Sequence, residues 1–285
     1  MKFTLACLLT TFTFAKTLNF ETARTKSTAG AGVASILMNE ATVTNPAPLA
    51  FFNLSSIYFE KFSSTITNDD NSSELDNYAF IASDSSKNLK GSVAYIKSSS
   101  DGLKNKQFNV AFAATTGKKS AAGITYKDVK KQYRFQNQVI TKNYKQFVPG
   151  VFHVVNQDFS LGFVAIDPLR KNPQESKVIL GAQYTVLNYI TLMLDVGADY
   201  KEDLNSKSLI RSAAQVRIFN DFFFRVGAYE DKGLKERGNG IGIGWVQPKL
   251  VIDLALKNTK VSESLELQQD KEEIKETSFS LSYRF

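Results

Sequence analysis

Apolar and polar residues alternate with a period of two along most of the chain. In residues 189–200, one face comprises Ile190, Leu192, Leu194, Val196 and Ala198, and the other comprises Thr191, Asp195 and Asp199. In residues 249–258, the two faces comprise Leu250, Ile252, Leu254 and Leu256 against Asp253 and Lys257. Successive side chains of a β-strand point to opposite faces. The pattern therefore predicts strands with one apolar and one polar face.

Stretches of this kind recur from Phe51 to the end of the chain. They are 51–62, 75–85, 88–98, 106–116, 119–130, 145–156, 158–167, 177–187, 189–200, 207–219, 221–230, 237–246, 249–258 and 276–285. Tight connections take turns with longer polar ones, as in a cylinder with short periplasmic turns and longer external loops. A Greek-key sandwich would not keep that rhythm. We predict an all-β fold, a transmembrane antiparallel up-and-down barrel of about 14 strands, with 12 to 16 as the alternatives.

Composition separates this barrel from a helical membrane protein. The 285 residues are 43% hydrophobic and 12% aromatic, and the mean hydropathy is −0.20. Beyond the amino terminus, no run approaches the roughly 18 apolar residues that a membrane-spanning helix needs. A barrel escapes detection by hydropathy because half of each strand faces the lumen. In a soluble sandwich, the same apolar faces would pack against a core.

The first residues are typical of an export signal. Lys2 provides a basic start, Phe3–Phe14 a short apolar core, and Thr13-Phe14-Ala15 a small-x-small end, so we expect cleavage after Ala15. Cys7 is the only cysteine and would leave with this segment. The mature chain would then have no thiol for disulfides or metal binding.

Residues 21–52 do not alternate and are rich in small residues. They contain the series Ala23-Arg24, Gly30-x-Gly32-Val33-Ala34, Ala41 and Asn45-Pro46-Ala47-x-Leu49. This series resembles the start of the FadL/TodX (OMPP1) superfamily and its PorV-like relatives. The resemblance implies a segment that tucks into the barrel as a plug, with Gly30, Gly32, Asn45 and Pro46 as its motif. We therefore divide the chain into a signal peptide (1–15), an N-terminal plug-like segment (16–50) and a transmembrane β-barrel (51–285).

The last strand ends on an aromatic residue. Phe279, Leu281, Tyr283 and Phe285 share one face, opposite Ser278, Ser280, Ser282 and Arg284. This ending resembles the carboxy-terminal signal of bacterial outer-membrane barrels. The resemblance implies recognition by the barrel-assembly machinery, with Tyr283 and Phe285 as its C-terminal assembly signal.

Charged residues on the polar faces are the candidates for a lumenal site. They are Asp195, Arg211, Arg217, Arg225, Asp253 and Arg284. Such a cluster would either bind the head group of a solute or brace the wall and hold a plug. Gly240, Gly242 and Gly244 also share the lumenal face, and they indicate either room for a plug or a strongly curved wall.

Pro149-Gly150 interrupts a predicted strand. Proline removes one ladder hydrogen bond and glycine weakens the strand. One interpretation is a bulge at the rim. The other is a break in the wall, because FadL-type proteins, which this chain resembles, have a wall kink that lets hydrophobic cargo pass sideways into the bilayer.

The sequence lacks the signatures of an enzyme. It has no Gly-x-Ser-x-Gly motif, no phosphate-binding loop and no metal-ligand spacing, and His153 is the only histidine. We expect no catalysis, no cofactor and no metal. The net charge of +7 has no nucleic-acid-binding motif beside it. The basic stretch Lys127–Lys145, which we predict to include a loop, could pair instead with lipopolysaccharide phosphates.

We therefore expect a monomeric protein of the bacterial cell outer membrane, surrounded by lipid and lipopolysaccharide. The resemblance implies passive transport of small hydrophobic molecules, with a small apolar ligand. Two alternatives stay open. One is a non-transporting PorV-like barrel that anchors or shuttles secreted proteins, and the other is a small general porin.

Overall fold

A computed structural model describes residues 19–68, 72–84, 89–100, 103–135, 138–202, 207–265, 267 and 269–285. The predicted signal peptide lies outside the described residues. The described chain forms fourteen strands: β1 Ser56–Thr67, β2 Ser72–Asp84, β3 Lys90–Ser99, β4 Leu103–Gly117, β5 Ser120–Phe135, β6 Gln138–Val154, β7 Phe159–Ile166, β8 Lys177–Val186, β9 Ile190–Ala198, β10 Ser208–Arg217, β11 Phe222–Asp231, β12 Glu236–Val246, β13 Leu250–Val261 and β14 Glu272–Arg284. Each strand pairs antiparallel with its neighbours in sequence, and β14 pairs with β1 to close the cylinder. The predicted fourteen-stranded up-and-down barrel is confirmed.

The outer face of the cylinder carries a continuous apolar belt. Leu254 on β13 and Phe279 on β14 face outward, whereas their neighbours Asp253 and Ser278 are buried. Exposed aromatic side chains cluster at the turn end, where Phe222 packs on Trp245 at 6.5 Å and Tyr283 on Phe285 at 6.3 Å. An apolar band edged by aromatic residues is typical of an outer-membrane wall.

One residue predicted to face outward is buried. Ala198 is buried at the last position of β9, and Asp199 after it is also buried. The alternation stops there because the chain leaves the wall, and Asp199 binds Arg170 at 2.5 Å.

The strands extend beyond the stretches that the sequence pattern predicts. Residues 131–144 were predicted to form a loop, but β5 continues to Phe135 and β6 begins at Gln138, with Lys131 opposite Lys142. The prediction was wrong because apolar alternation marks only the lipid band. Backbone pairing continues past that band into residues whose outward face is polar, while Lys131 and Tyr144 stay buried on the inward face.

Residues 19–51, which we call the lumenal segment, lie inside the cylinder. They contain helix α1 (Ala23–Ser27) and two 3₁₀ turns, Glu40–Thr42 and Ala47–Phe51. Almost all of residues 22–50 are buried. A further 3₁₀ turn, Pro173–Glu175, lies between β7 and β8. Among the residues described, no helix is long and apolar enough to cross a membrane.

Candidate functional site in the lumen

Inward-facing glycines of the wall make room for the lumenal segment. A Cβ added to Gly240 would overlap the carbonyl oxygen of Lys26, and one on Gly227 would overlap the backbone of Thr28. A Cβ on Gly242 would lie 2.6 Å from the Cβ of Ser27. The glycines on β12 therefore provide room for this segment, which was one of the two explanations that the sequence left open.

The motif glycines form a turn that two wall residues hold. Gly30 and Gly32 have φ angles of +83° and +141°, which L-residues rarely adopt. The backbone N–H groups of Gly32 and Val33 donate to Oδ2 of Asp195 at 2.9 and 3.2 Å. Arg211, opposite Asp195 in the ladder, donates from Nη1 to the carbonyl oxygen of Gly30 at 3.1 Å. These contacts fix the motif turn against β9 and β10.

Asn45 and Pro46 lie against the opposite wall. Nδ2 of Asn45 donates to the carbonyl oxygens of Val33 at 2.9 Å and Val151 at 3.2 Å. A Cβ on Gly150 would overlap Oδ1 of Asn45, and one on Gly123 would lie 2.9 Å from the carbonyl carbon of Pro46. The structure thus brings the plug motif together with Gly150, a pairing that the sequence did not predict.

The six predicted lumenal charges do not form one cluster. Asp195 and Arg211 hold the motif turn. Arg225 pairs with Asp253 at 2.6 Å and also donates from Nε to Gln215 at 2.7 Å. Arg217 and Arg284, together with Arg225, line a cavity of about 250 Å³ near the tight turns, which we call the turn-end chamber.

A buried ion pair that the sequence reasoning missed joins helix α1 to β1. The Nζ atom of Lys26 lies 2.9 Å from Oε1 of Glu60, with side-chain exposures of 1% and 0%. Tyr58 donates to the other carboxylate oxygen at 2.5 Å, and the ammonium lies 3.5 Å from the ring centroid of Phe62. Glu60 could have been found, since it has the inward parity of Tyr58 and Phe62. Lys26 could not have been found, because its segment shows no alternation of apolar and polar residues.

The lumenal segment also contacts both strands at the closing seam. Nδ2 of Asn39 donates to Ser282 on β14 at 2.9 Å, and Ser56 on β1 donates to Oδ1 of Asn39 at 2.7 Å. At the end of the seam, Ser55 and Phe285 exchange backbone hydrogen bonds of 3.0 and 2.9 Å. The segment therefore binds the cylinder where its first and last strands meet.

A larger cavity of about 590 Å³, the outer chamber, occupies the loop end of the lumen. Gly30 and Val33 contribute to its floor. Its apolar wall includes Val129, Val164, Ile166 and Ile179, and charged or polar residues including Lys127, Gln146, Glu175 and Glu236 complete the lining. Concave, partly apolar cavities of roughly 300–1,000 Å³ are typical of sites for small molecules.

Glu175 fastens the connection between β7 and β8 over one side of the outer chamber. Its carboxylate accepts from Tyr144 at 3.0 Å and Gln146 at 3.0 Å, and lies 3.4 Å from Nζ of Lys131. Burial alone would raise the pKa of Glu175, but the Lys131 ammonium and the Gln146 amide outweigh it and hold the pKa below its usual value. We call residues 167–176 the side latch.

Pro149 and Gly150 lie where the β6–β7 ladder ends. Strand β6 itself runs through both residues, and its pairing with β5 continues, with Ile124 opposite Pro149. The ladder to β7 ends at Gly150 opposite Val164, followed by one backbone hydrogen bond of 3.1 Å from Asp167 to Phe147. Val164 and Ile166 line the outer chamber, so the chamber adjoins this ladder end.

His153 lies away from both chambers. Its Nδ1 atom is 2.8 Å from the hydroxyl of Ser120 on the outer face of the wall. Within the described ranges, no group of three or more His, Cys, Asp or Glu side chains is placed to hold a metal ion.

Comparison with known proteins identifies solved structures that share this architecture. No family model matches the chain, and no curated protein matches its sequence. Among solved structures, the CymD monoaromatic hydrocarbon channel superimposes with a TM-score of 0.70 at 10% identity, over 92% of this chain and 96% of that one. The Pseudomonas putida toluene transporter TodX gives 0.64 at 9%, over 94% and 98%. A Pseudomonas aeruginosa FadL homologue gives 0.59 at 10%, over 93% and 98%. The chain therefore has the fold of FadL-like outer-membrane barrels.

Proposed function

We propose that this protein carries small hydrophobic molecules passively across the outer membrane of a bacterium. The observation that carries the proposal is the position of the outer chamber, whose apolar side adjoins the end of the β6–β7 ladder beside Pro149. The fold is shared with a monoaromatic hydrocarbon channel and a toluene transporter, which supports the same substrate class.

In this proposal, the solute enters the outer chamber from the loop end and leaves sideways through the wall. The lumenal segment lies across the direct path to the periplasm. Asp195 and Arg211 hold its Gly30–Gly32 turn at the floor of the outer chamber. A lateral exit needs fewer contacts to break, because Pro149 has no N–H to bond β7. Displacing the side latch, held by Glu175, would widen that exit.

Replacing Pro149 with valine tests the route. Valine restores a ladder donor, so uptake of a radiolabelled small aromatic hydrocarbon by expressing cells should fall severalfold at equal protein level. Pro248→Val is the matched control, since Pro248 lies in the tight connection between β12 and β13. Unaltered uptake of every apolar solute by Pro149→Val would contradict the lateral route.

Two further measurements separate the alternatives. A general porin would show a steady single-channel conductance in planar bilayers, whereas the occupied lumen favours a closed baseline. An apolar compound that co-purifies from native membranes would support the transport proposal. A co-purifying protein would support the scaffold alternative instead.

We infer that the final aromatic residues serve outer-membrane assembly. Tyr283 and Phe285 both face outward at the turn end, where their rings stack. Deleting Phe285 also removes the backbone pairing with Ser55, so the fraction of folded, membrane-inserted protein should fall. Normal insertion of the shortened chain would contradict this role.

A further inference from the structure

The turn-end chamber is surrounded by four arginine side chains. Arg24 comes from helix α1, Arg217 and Arg225 from β10 and β11, and Arg284 from the end of β14. Gln183, Gln215, Ser35 and Thr191 add polar groups to the lining. The chamber shares none of these residues with the outer chamber. It is therefore a separate compartment with its own chemistry.

Several guanidinium donors in this chamber lack a protein acceptor. Within the part of the chain that the structure describes, Nε of Arg24, Nε of Arg284 and Nη2 of Arg225 are buried without a hydrogen-bond partner. The Arg225 side chain is fully buried, and its other two nitrogens bind Gln215 and Asp253. Leaving a buried charged donor without an acceptor is costly, so these atoms favour a bound acceptor.

The local charge is unbalanced in the same direction. The carboxylates that attract Arg24, Arg225 and Arg284 are Asp253 and Glu40. These three arginines share two carboxylates, which leaves one positive charge, and Arg217, which is exposed to solvent, adds a second. Arg24 also repels both Arg225 and Arg284. A bound dianion would neutralise the excess and relieve this repulsion.

Gly244 indicates that this arrangement depends on space at the wall. A Cβ there would lie 2.6 Å from both terminal nitrogens of Arg225 and would overlap Oδ1 of Asp253. The glycine allows the Arg225–Asp253 pair to lie flat against β12. Both terminal nitrogens of Arg225 therefore lie against the backbone of β12, in space that a side chain at position 244 would fill.

We propose that the turn-end chamber is a binding site for a small dianionic oxyanion of the phosphate class. Planar guanidinium groups donate paired hydrogen bonds to phosphate oxygens, and a cavity of about 250 Å³ accommodates an inorganic phosphate. Because Arg24 belongs to the lumenal segment and the other three arginines to the wall, the bound anion joins the segment to the barrel. The site is independent of what passes through the outer chamber.

Calorimetric titration of the full-length protein with sodium phosphate tests the site. In neutral detergent at pH 7.5 and constant ionic strength, we expect saturable binding with one phosphate per chain, and none with sodium chloride. Arg284→Gln and Arg24→Gln should each weaken binding about tenfold or more, the worth of a charge-assisted hydrogen bond. Arg237→Gln is the matched control, because Arg237 is an exposed arginine at the opposite end of β12.

Two readouts separate binding from a structural role of the arginines. Phosphate should slow amide exchange in residues 22–28 of the wild type but not of Arg284→Gln, whose stability without phosphate should not fall. Equal protection by phosphate in wild type and Arg284→Gln would overturn the proposal. Acetate binding more tightly than phosphate would overturn the dianion assignment. Protection in phosphate-free nanodiscs containing phosphatidic acid would assign the phosphate group to a lipid, whereas protection by inorganic phosphate alone would assign it to a free solute.

Discussion

The lumenal segment is held in two chemically different ways on its two sides. Its first half, residues 20–33, faces β1 and β9 to β14 through buried charges, including the pairs of Lys26 with Glu60 and of Lys257 with Glu21 at 2.7 Å. Its second half, residues 38–51, packs apolar side chains on β4 to β6, and Asn39 and Asn45 add hydrogen bonds to the wall. There Leu49 is fully buried beside Met38 and Phe152.

These two modes have different consequences for stability and position. Apolar burial contributes favourably without requiring one geometry. Buried ion pairs repay their desolvation only when donors and acceptors meet in one arrangement. The second half therefore supplies stabilisation, and the first half sets the position of helix α1. Removing one partner of a buried ion pair should therefore lower the free energy of unfolding most. Removing both partners together should lower it least.

The largest effect is expected from Glu60→Gln. Among the described residues, this change leaves the buried Lys26 ammonium with Glu276, at 3.9 Å, as its counter-charge. The free energy of unfolding, measured by urea titration in detergent, should fall by about 3–5 kcal/mol. The double variant Lys26→Met, Glu60→Gln, which keeps an acceptor for the Tyr58 hydroxyl and the Ala23 N–H, should recover most of the loss.

The matched control for Glu60→Gln is an exposed ion pair on the same barrel. Lys275 lies 3.7 Å from Glu273, with side-chain exposures of 66% and 37%. Glu273→Gln should leave the unfolding transition unchanged, since solvent screens such pairs. A double variant at Lys26 and Glu60 that is as unstable as Glu60→Gln would contradict the view that this pair sets position.

Truncating Leu49 tests the apolar side. Leu49→Ala removes buried methyl groups and leaves a cavity, so the same titration should show a loss of about 2–5 kcal/mol. Leu265→Ala, at a side chain that is 90% exposed in the connection before β14, should have no effect. If Leu49→Ala behaves like Leu265→Ala, the apolar contacts contribute nothing and the comparison between the two sides fails.

A methyl group at Gly240 should move helix α1 without touching any charge. Gly240→Ala would press on the carbonyl oxygen of Lys26, and overpacking of this kind costs about 1–3 kcal/mol. Hydrogen exchange should become faster in residues 23–28 and stay unaltered near Leu49. Gly117→Ala has open space around the new Cβ and serves as the control. Uniform acceleration across both halves would indicate that they do not act separately.

The smallest effect is expected at the side latch and depends on pH. The pKa of Glu175 is lower in the folded protein than in the unfolded chain. Its contribution is therefore complete above the unfolded pKa of about 4.3 and is lost as the pH falls through the folded value. Exchange in residues 167–176, corrected for intrinsic rates, should rise only below about pH 4. Glu175→Gln should abolish that pH dependence, and a rise near pH 6 would point to another group.

The strands could be read from the sequence because lipid and lumen make opposite demands on the two faces of one strand. Leu254 and Asp253 are neighbours that face opposite sides, and their alternation reveals both the strand and its orientation. The ends of the strands could not be read from the sequence by this alternation. In residues 131–144 the outward face carries polar residues such as Asn143, while Lys131 and Tyr144 face inward and are buried, so the apolar-out contrast that marks a strand is lost.

The site was less predictable because the wall residues bind partners in the lumenal segment, where apolar and polar residues do not alternate. Parity alone places Asp195 and Arg211 inside, but it cannot show that they bind the Gly30–Val33 turn. The same limit hid Lys26, Asn39 and Arg24. Each of these residues finds its partner only through the position of the lumenal segment, which depends on where the wall glycines leave space.

Asn39 has a consequence for the order of assembly. Its amide donates to β14 and accepts from β1, and these two strands are the farthest apart in the chain that have to meet. A barrel still open at the seam offers Asn39 only one of its two partners. Docking of the lumenal segment and closure of the cylinder are therefore linked, and each makes the other more favourable. A barrel that closes around an empty lumen would lose this cooperativity.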